Sequence, residues 1–415
     1  MLKEILWGLL FAFMLMEAVL LLLNNYSIRS HSNSNRFSDF IDDATFKNTV
    51  AYSLVRNHFA LLKLFYEVLV LAMILRLDLI PTCMKWIGDT GSLWMQSTWL
   101  FLWSSFLGWL FLPLDYISTF KIERDFGFNR STKKLWWMDQ FKSFCVGACI
   151  NIPVFALLLY LLKTFANTWW IWGGIGCLLL QVVLIWLYPK VILPLFNKLT
   201  PLEEGTLKVR LNQLAQKVGF KSAAIQILDS SKRSTHSNAY CSSIGKIQRI
   251  VLFDTLLKNF SEEEIEAILA HEIGHYKNKH IQKTLIISTC FILLGLKICD
   301  EILRSNWLAE QLGLSSTSPL LLLIMLATFL PLFLYWVNPI SNHFSRKHEY
   351  EADAFANDLS PECGENLIQS LKKLYRENLS NLFPHPLYSG FHYSHPTLLE
   401  REKAIHGKNN LSKNN

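Results

Sequence analysis

Two histidines four residues apart, with a glutamate directly after the first, stand at His271-Glu272-Ile273-Gly274-His275. Ser261 followed by Glu264 has the spacing of a helix capping box, and Ile265, Ile268 and Leu269 continue at helical intervals. The pattern predicts a helix, on which residues four apart share one face. Both imidazoles then reach one Zn²⁺, and Glu272 reaches a water beside that ion as general base. Gly274 is expected to leave space beside the metal. Two neutral imidazoles leave the ion short of a third protein ligand. Downstream, Ser345-Arg346-Lys347-His348-Glu349-Tyr350-Glu351-Ala352-Asp353 sets Glu349 and Asp353 four apart on another helix face. One carboxylate there can ligate the metal while the other hydrogen-bonds a ligand imidazole, and Glu351 points elsewhere.

The elements that must position these residues are mostly apolar. The 415-residue chain is 51% apolar and only 18% charged, with 14 Trp and 28 Phe, a membrane composition. Seven stretches have the length of membrane spans: Ile5–Leu23, Ala60–Leu77, Leu93–Leu114, Phe144–Leu162, Trp169–Leu195, Leu285–Ile302 and Pro319–Val337. The first has no small-residue cleavage site and runs into Asn24-Asn25-Tyr26, so it is read as retained. Lys63, Glu67 and Arg76 in the second, and Lys297 and Asp300 in the sixth, face a cavity or partner helix, or snorkel to the interface.

With seven spans, the soluble segments after spans five and seven share one side of the membrane with the loops after spans one and three. Those loops carry Arg29, Arg36, Lys47, Arg56, Lys121, Arg124, Arg130, Lys133, Lys134 and Lys142, against Lys3, Lys85, Lys163 and Arg304 opposite. The bias places the soluble segments in the cytoplasm. The net charge of +7 mostly flanks apolar stretches, which argues against a nucleic-acid surface. The eight Cys include no CxxC pair, so no thiolate metal site is expected, and Cys145 and Cys149 are expected to pack inside.

Ile225–Leu228 and Ile247–Phe253 read as short strands, with His236–Cys241 between them as the exposed edge of a small sheet. The organisation expected is an N-terminal membrane domain over residues 1–196, a soluble segment with the metal helix over 197–284, and two spans over 285–340. A second soluble segment over 341–405 carries the carboxylates, and a disordered tail covers 406–415.

These residues, in this setting, resemble the type I CAAX prenyl proteases. Asp115–Thr132 (DYISTFKIERDFGFNRST), Tyr188-Pro189, Leu193–Leu202 (LPLFNKLTPL), Lys232–Tyr240 (KRSTHSNAY), Arg249–Leu257 (RIVLFDTLL), the metal motif and Ser394–Arg401 (SHPTLLER) recur in that family's order. Cys241-Ser242-Ser243 and the Ser/Asn-rich stretch Asn24–His58 depart from it. The resemblance implies a mainly α polytopic membrane fold: seven transmembrane helices enclosing a chamber, with a zincin-like metalloprotease domain carrying a small β-sheet. It implies one Zn²⁺ per chain on His271, His275 and Glu349, with Glu272 activating water and Asp353 orienting a ligand histidine. His395 and Arg401 would lie near the metal to hold substrate or oppose the oxyanion. Asn238 and Ala239 would lie on a strand that pairs with the backbone of a peptide substrate, prenylated or not. The setting would be a bacterial inner membrane or the endoplasmic reticulum, according to host; nothing in the residues fixes the oligomeric state. A membrane quality-control metalloprotease fits the same residues, and a non-catalytic scaffold or transporter is disfavoured by the intact ligand set and base.

Overall fold

Runs of apolar residues with few breakers form long helices, because a lipid-facing backbone must satisfy its own hydrogen bonds. The computed structural model describes the chain except residues 35–36, 88–90, 221–223, 245–246 and 414–415, with backbone alone at 224, 240–244, 247–248 and 410–413. The first part comprises α1 (Leu2–Ser30), α2 (Asp43–Arg76), α3 (Leu79–Ile87), α4 (Leu93–Ile117), α5 (Lys133–Thr164), α6 (Trp169–Leu187) and α7 (Leu193–Phe196). A mixed segment follows with β1 (Leu199–Pro201), α8 (Thr206–Lys217), β2 (Ala224–Leu228), β3 (Ala239–Ile244), β4 (Ile247–Phe253), α9 (Asp254–Asn259) and α10 (Glu262–Lys277). The rest is helical: α11 (His280–Arg304), α12 (Trp307–Leu312), α13 (Pro319–Leu334), α14 (Asn338–Leu359), α15 (Pro361–Glu377), α16 (Pro386–His392) and α17 (Leu398–Lys413).

Among the described residues, six helices are long and apolar enough to cross a membrane: Leu2–Ser30, Asp43–Arg76, Leu93–Glu123, Lys133–Thr164, Trp169–Phe196 and Pro319–Leu359. Seven were expected. The difference is α11, which covers Leu285–Ile302 and is long enough at 25 residues, but carries Lys297, Asp300 and Glu301 in its second half. Asp300, 1% exposed, accepts from Trp169 Nε1 at 2.9 Å and lies 3.0 Å from both Lys297 Nζ and Arg304 Nε. Lys63 of α2 likewise pairs with Asp115 at 2.8 Å. Charges in apolar helices thus meet protein partners. Phe11, Leu15, Leu62, Phe65 and Leu69 point outward as a lipid-facing surface, and Cys145 and Cys149 are exposed on α5 instead of packed inside.

The stretch Asn24–His58, read from sequence as a loop, is largely helical, because Asp42 caps α2 by accepting from the Ala44 and Thr45 amides at 3.0 Å. The end of the chain differs too. Where residues 406–415 were expected to be disordered, α17 continues to Lys413, held by buried Ile405, an Asn357–Asn409 hydrogen bond of 2.6 Å and a Lys408–Asp358 pair at 2.7 Å.

The four strands form one sheet in the order β1-β2-β4-β3. Alternating β-branched and aliphatic residues let β2 and β4 pair in parallel, with Ile225 opposite Ile250, while β3 pairs antiparallel to β4 and forms the sheet edge. Two apolar clusters sit apart. One joins α1, α2, α4 and α13 through residues such as Leu20, Leu64, Leu100 and Ile324. The other joins α8, β4, α10 and α15 through Leu211, Ile250, Ile268 and Leu367. Two family-like segments meet where these bodies touch: Asn129 bridges Ser234, the Arg130 amide donates to the Arg233 carbonyl at 3.0 Å, and Arg233 clasps Asp139 at 2.8 and 2.9 Å.

Candidate functional site

The capping box predicted at Ser261 is present, and it starts α10 so that one face buries Ile265, Ile268 and Leu269. His271 then lies in the protein interior while His275, one turn on, lies half-buried beside it. Their partner comes from the helical rod Pro319–Leu359, whose last part, α14, lies against α10. Gly274 explains how close the two helices come. A Cβ there would sit 3.0 Å from the Cα and carbonyl oxygen of Ala352, so the glycine serves the α10–α14 contact, not space beside the metal.

That contact brings together one donor atom each from His271, His275 and Glu349, all within 4.8 Å of one another. Glu349 is 3% exposed, with Oε1 3.3 Å from His275 Nε2 and Oε2 3.5 Å from His271 Nε2. His395 Nδ1 is 2.9 Å from Glu349 Oε2, yet that buried oxygen makes no well-formed hydrogen bond among the described residues. An unsatisfied buried carboxylate oxygen is costly unless a cation meets it.

The far side of each imidazole is also held. His271 Nδ1 donates to Asp353 Oδ1 at 2.8 Å, and Asp353 is clasped by Arg401 through Nε at 2.8 Å and Nη2 at 2.6 Å. Arg401, 6% exposed, reaches that place because Thr397 and Glu400 form a capping box at the start of α17. His275 Nδ1 lies 2.9 Å from His280 Nδ1, and His280 Nε2 lies 3.0 Å from Glu351 Oε2. Burial pushes the His280 imidazole down to about 4, so it is neutral near pH 7. Neutral His280 donates from Nε2 to Glu351 and accepts at Nδ1 from His275. With both histidines donating from Nδ1, their Nε2 lone pairs face each other across 3.2 Å. Two such lone pairs beside a carboxylate call for a positive charge between them. Burial would lower the His275 pKa, yet Glu349 outweighs it and holds the value above that of an ordinary histidine, which expresses the same demand. The residues present therefore fit a metal ion.

His280 and Glu351 were missed as supports in the sequence reading. Lys279 adopts a left-handed turn (φ 56°) that swings His280 back toward α10, and the asparagine of that turn, Asn278, precedes the left-handed position instead of occupying it. Glu272 is half-buried next to His271. His395 is 65% exposed at the side chain, facing open space beside the three donors. Arg401, expected near substrate, is committed to Asp353 and stands 3.7 Å from Glu349 Oε2.

Ala239 opens β3, opposite Leu252. The Asn238 carbonyl accepts from the Phe253 amide at 3.2 Å, so by antiparallel alternation Tyr240 bonds Val251 and the Ala239 N–H and C=O face the free edge. Exposed Asn238 covers that N–H with its own Oδ1 at 2.8 Å. The side chains of Cys241, Ser242 and Ser243 lie outside the described residues.

Residues 22–198 match the family described as CAAX prenyl protease N-terminal, five membrane helices, and residues 201–409 match Peptidase family M48. The chain is 34% identical over 400 residues to CAAX prenyl protease 1 of Saccharomyces cerevisiae, covering 88% of this chain and 87% of that one. It is 33% identical to the CAAX prenyl protease 1 homolog of Arabidopsis thaliana, with 89% of each covered. The crystal structure of S. mikatae Ste24p superposes with a TM-score of 0.89 at 33% identity, over 97% of this chain and 98% of that chain. Six apolar helices among the described residues, a His-His-Glu cluster and these matches over nearly the whole length lead to one conclusion: the chain belongs to the CAAX prenyl proteases of peptidase family M48 and is an integral, multi-pass membrane metalloendopeptidase.

Proposed function

We propose that the protein is a zinc endopeptidase that cuts prenylated CAAX-type proteins close to their C-terminus, with its catalytic body in the cytoplasm. The observation that carries the reading is the convergence of His271 Nε2, His275 Nε2 and an unsatisfied Glu349 oxygen beside Glu272. His and carboxylate donors in a set of three, with one side open, suit catalytic zinc. When bound, the ion would polarise the scissile carbonyl and make water more acidic. Asp353 and His280 hold the two imidazoles in the tautomer that leaves Nε2 free. The Glu272 carboxylate accepts a proton from water during attack and returns it to the leaving amine. His395 opposes the negative charge that develops on the scissile carbonyl oxygen. The Ala239 edge adds the substrate as a further extended strand, and Asn238 swings its amide from Ala239 to the incoming backbone. Because His271 of α10 touches Asp353 of α14, both soluble segments lie on one face of the membrane, and the excess of Lys and Arg in the loops after the first and third spans supports a cytoplasmic face. The test is cleavage of one CAAX peptide in farnesylated and unprenylated forms, with Glu272→Gln as control. Preferential cutting of the farnesylated form by wild type alone is expected. Equal cutting of an unfolded membrane protein and neglect of the prenylated peptide would point to quality control instead.

A further inference from the structure

A cavity of about 550 Å³ adjoins the site, with His395 and Arg401 on one wall and a face of α2 on another. Tyr52, Ser53, Arg56, Asn57 and Ala60 form that face at helical spacing. Among the described residues no carboxylate lines the cavity. Of the two arginines that do, Arg401 is tied to Asp353, whereas Arg56 is exposed and has no carboxylate within ion-pair distance among the described residues. Its guanidinium rests 5.4 Å from the centre of the Tyr52 ring. The nearby acid, Glu123, is already engaged by the Tyr52 hydroxyl at 2.7 Å and by His236 at 3.3 Å. The neighbouring amides are engaged as well: Asn24 donates to Asn57 at 3.2 Å, Asn57 to the Leu21 carbonyl at 2.8 Å, and Asn381 to Asn24 at 3.3 Å. Arg56 is thus a cation lining a cavity whose other polar groups largely satisfy each other.

A guanidinium suits a carboxylate because its planar fork offers two parallel donors, and such charge-assisted bonds are stronger than neutral ones. The proposed reaction supplies one. A chain cut about three residues from its end carries its terminal carboxylate roughly 10 Å from the scissile bond, at about 3.3 Å per extended residue. The volume falls within the range that encloses a small ligand, and a tripeptide is of that class. We propose that this cavity seats the departing C-terminal segment and that Arg56 holds its α-carboxylate, so that the protein selects free chain ends. The idea rests on the endopeptidase reading above and adds a specificity-determining residue to it.

The experiment uses one CAAX peptide as its free acid and as its C-terminal carboxamide. Equilibrium binding is measured on zinc-loaded full-length Glu272→Gln protein, and turnover is measured on the wild type. The acid should bind roughly tenfold more tightly or better, the equivalent of about 1.4 kcal/mol. Adding Arg56→Gln should bring the acid-to-amide ratio to about one, and Arg56→Lys should restore part of it. Arg56→Lys keeps the test decisive if Arg56→Gln does not fold, because it must then show a ratio between wild type and unity. A preference that survives Arg56→Gln, or no preference in the parent protein, overturns the proposal. If the wild type cuts acid and amide equally while Glu272→Gln is dead, the Arg56 assignment fails and the endopeptidase reading stands. If the wild type cuts neither peptide, both fall together.

Discussion

On one side of the three donors the protein is closed. His271, Glu349, Asp353 and Arg401 are 7%, 3%, 1% and 6% exposed, and Asp353 ties His271 to Arg401 through hydrogen bonds of 2.8 and 2.6 Å. On the opposite side it is open: the His395 side chain is 65% exposed, Asn238 is exposed, and the Ala239 backbone faces a free sheet edge. A metal donor set has to be rigid before the ion arrives, since each imidazole must present one chosen nitrogen, and buried, paired charges enforce that. A peptide needs room and unpaired backbone groups, which a buried network cannot offer. On the proposed reading the closed half would govern metal retention and the open half turnover, and substitutions should separate the two.

The largest effect is expected at the junction of the halves. Glu272→Gln should lower turnover by about 10²–10⁴-fold, because an amide cannot accept the proton, while metal content and thermal stability stay at wild-type values. Comparable peptide cleavage by that variant would remove Glu272 from the mechanism. On the open side, Ala239→Pro removes an N–H that faces the edge and makes no bond to β4, so folding and metal content should hold. Its kcat/KM should fall on the order of 10²-fold, the cost of a misplaced substrate. Normal cleavage by folded Ala239→Pro protein would sink the strand-addition idea. On the closed side, Asp353→Asn should weaken metal affinity by about 10–100-fold in a chelator competition, and turnover should recover when excess metal is supplied. The smallest effect belongs to Glu351→Ala, which acts on His275 only through His280. Its metal stoichiometry should match the wild type, with affinity reduced less than about tenfold. A larger loss than in Asp353→Asn would mean that the half-exposed His275 side, not the buried His271 side, sets metal retention.

Most of the closed half was legible in the sequence. Helical spacing alone pairs His271 with His275 and Glu349 with Asp353, and the Ser261–Glu264 box marks where the first helix begins. The strands were legible from β-branched residues, and β4 covers Ile247–Phe253 as expected. What spacing cannot reveal is contact between helices. Gly274 serves the approach of Ala352, 78 positions away, so its reason appears only once α10 and α14 are packed. His280 supports His275 through a left-handed Lys279, a residue type that gives no signal of that conformation. Arg401 depends on where α17 starts, and the resemblance placed it near the metal without giving its partner, Asp353. The count of spans differs at α11: the apolar run Leu285–Ile302 was legible, but Lys297, Asp300 and Glu301 set the helix apart in composition, and sequence spacing does not show that Asp300 meets Trp169 and Arg304.

The central claim is that His271, His275 and Glu349 hold one zinc ion, and elemental analysis of the purified full-length protein tests it most directly. Wild type and Glu272→Gln should each carry about one zinc per chain, and His271→Ala and Glu349→Ala should carry almost none while remaining folded, as expected for three ligands with one open position. A full equivalent of zinc in folded Glu349→Ala would contradict the account and move the third ligand elsewhere.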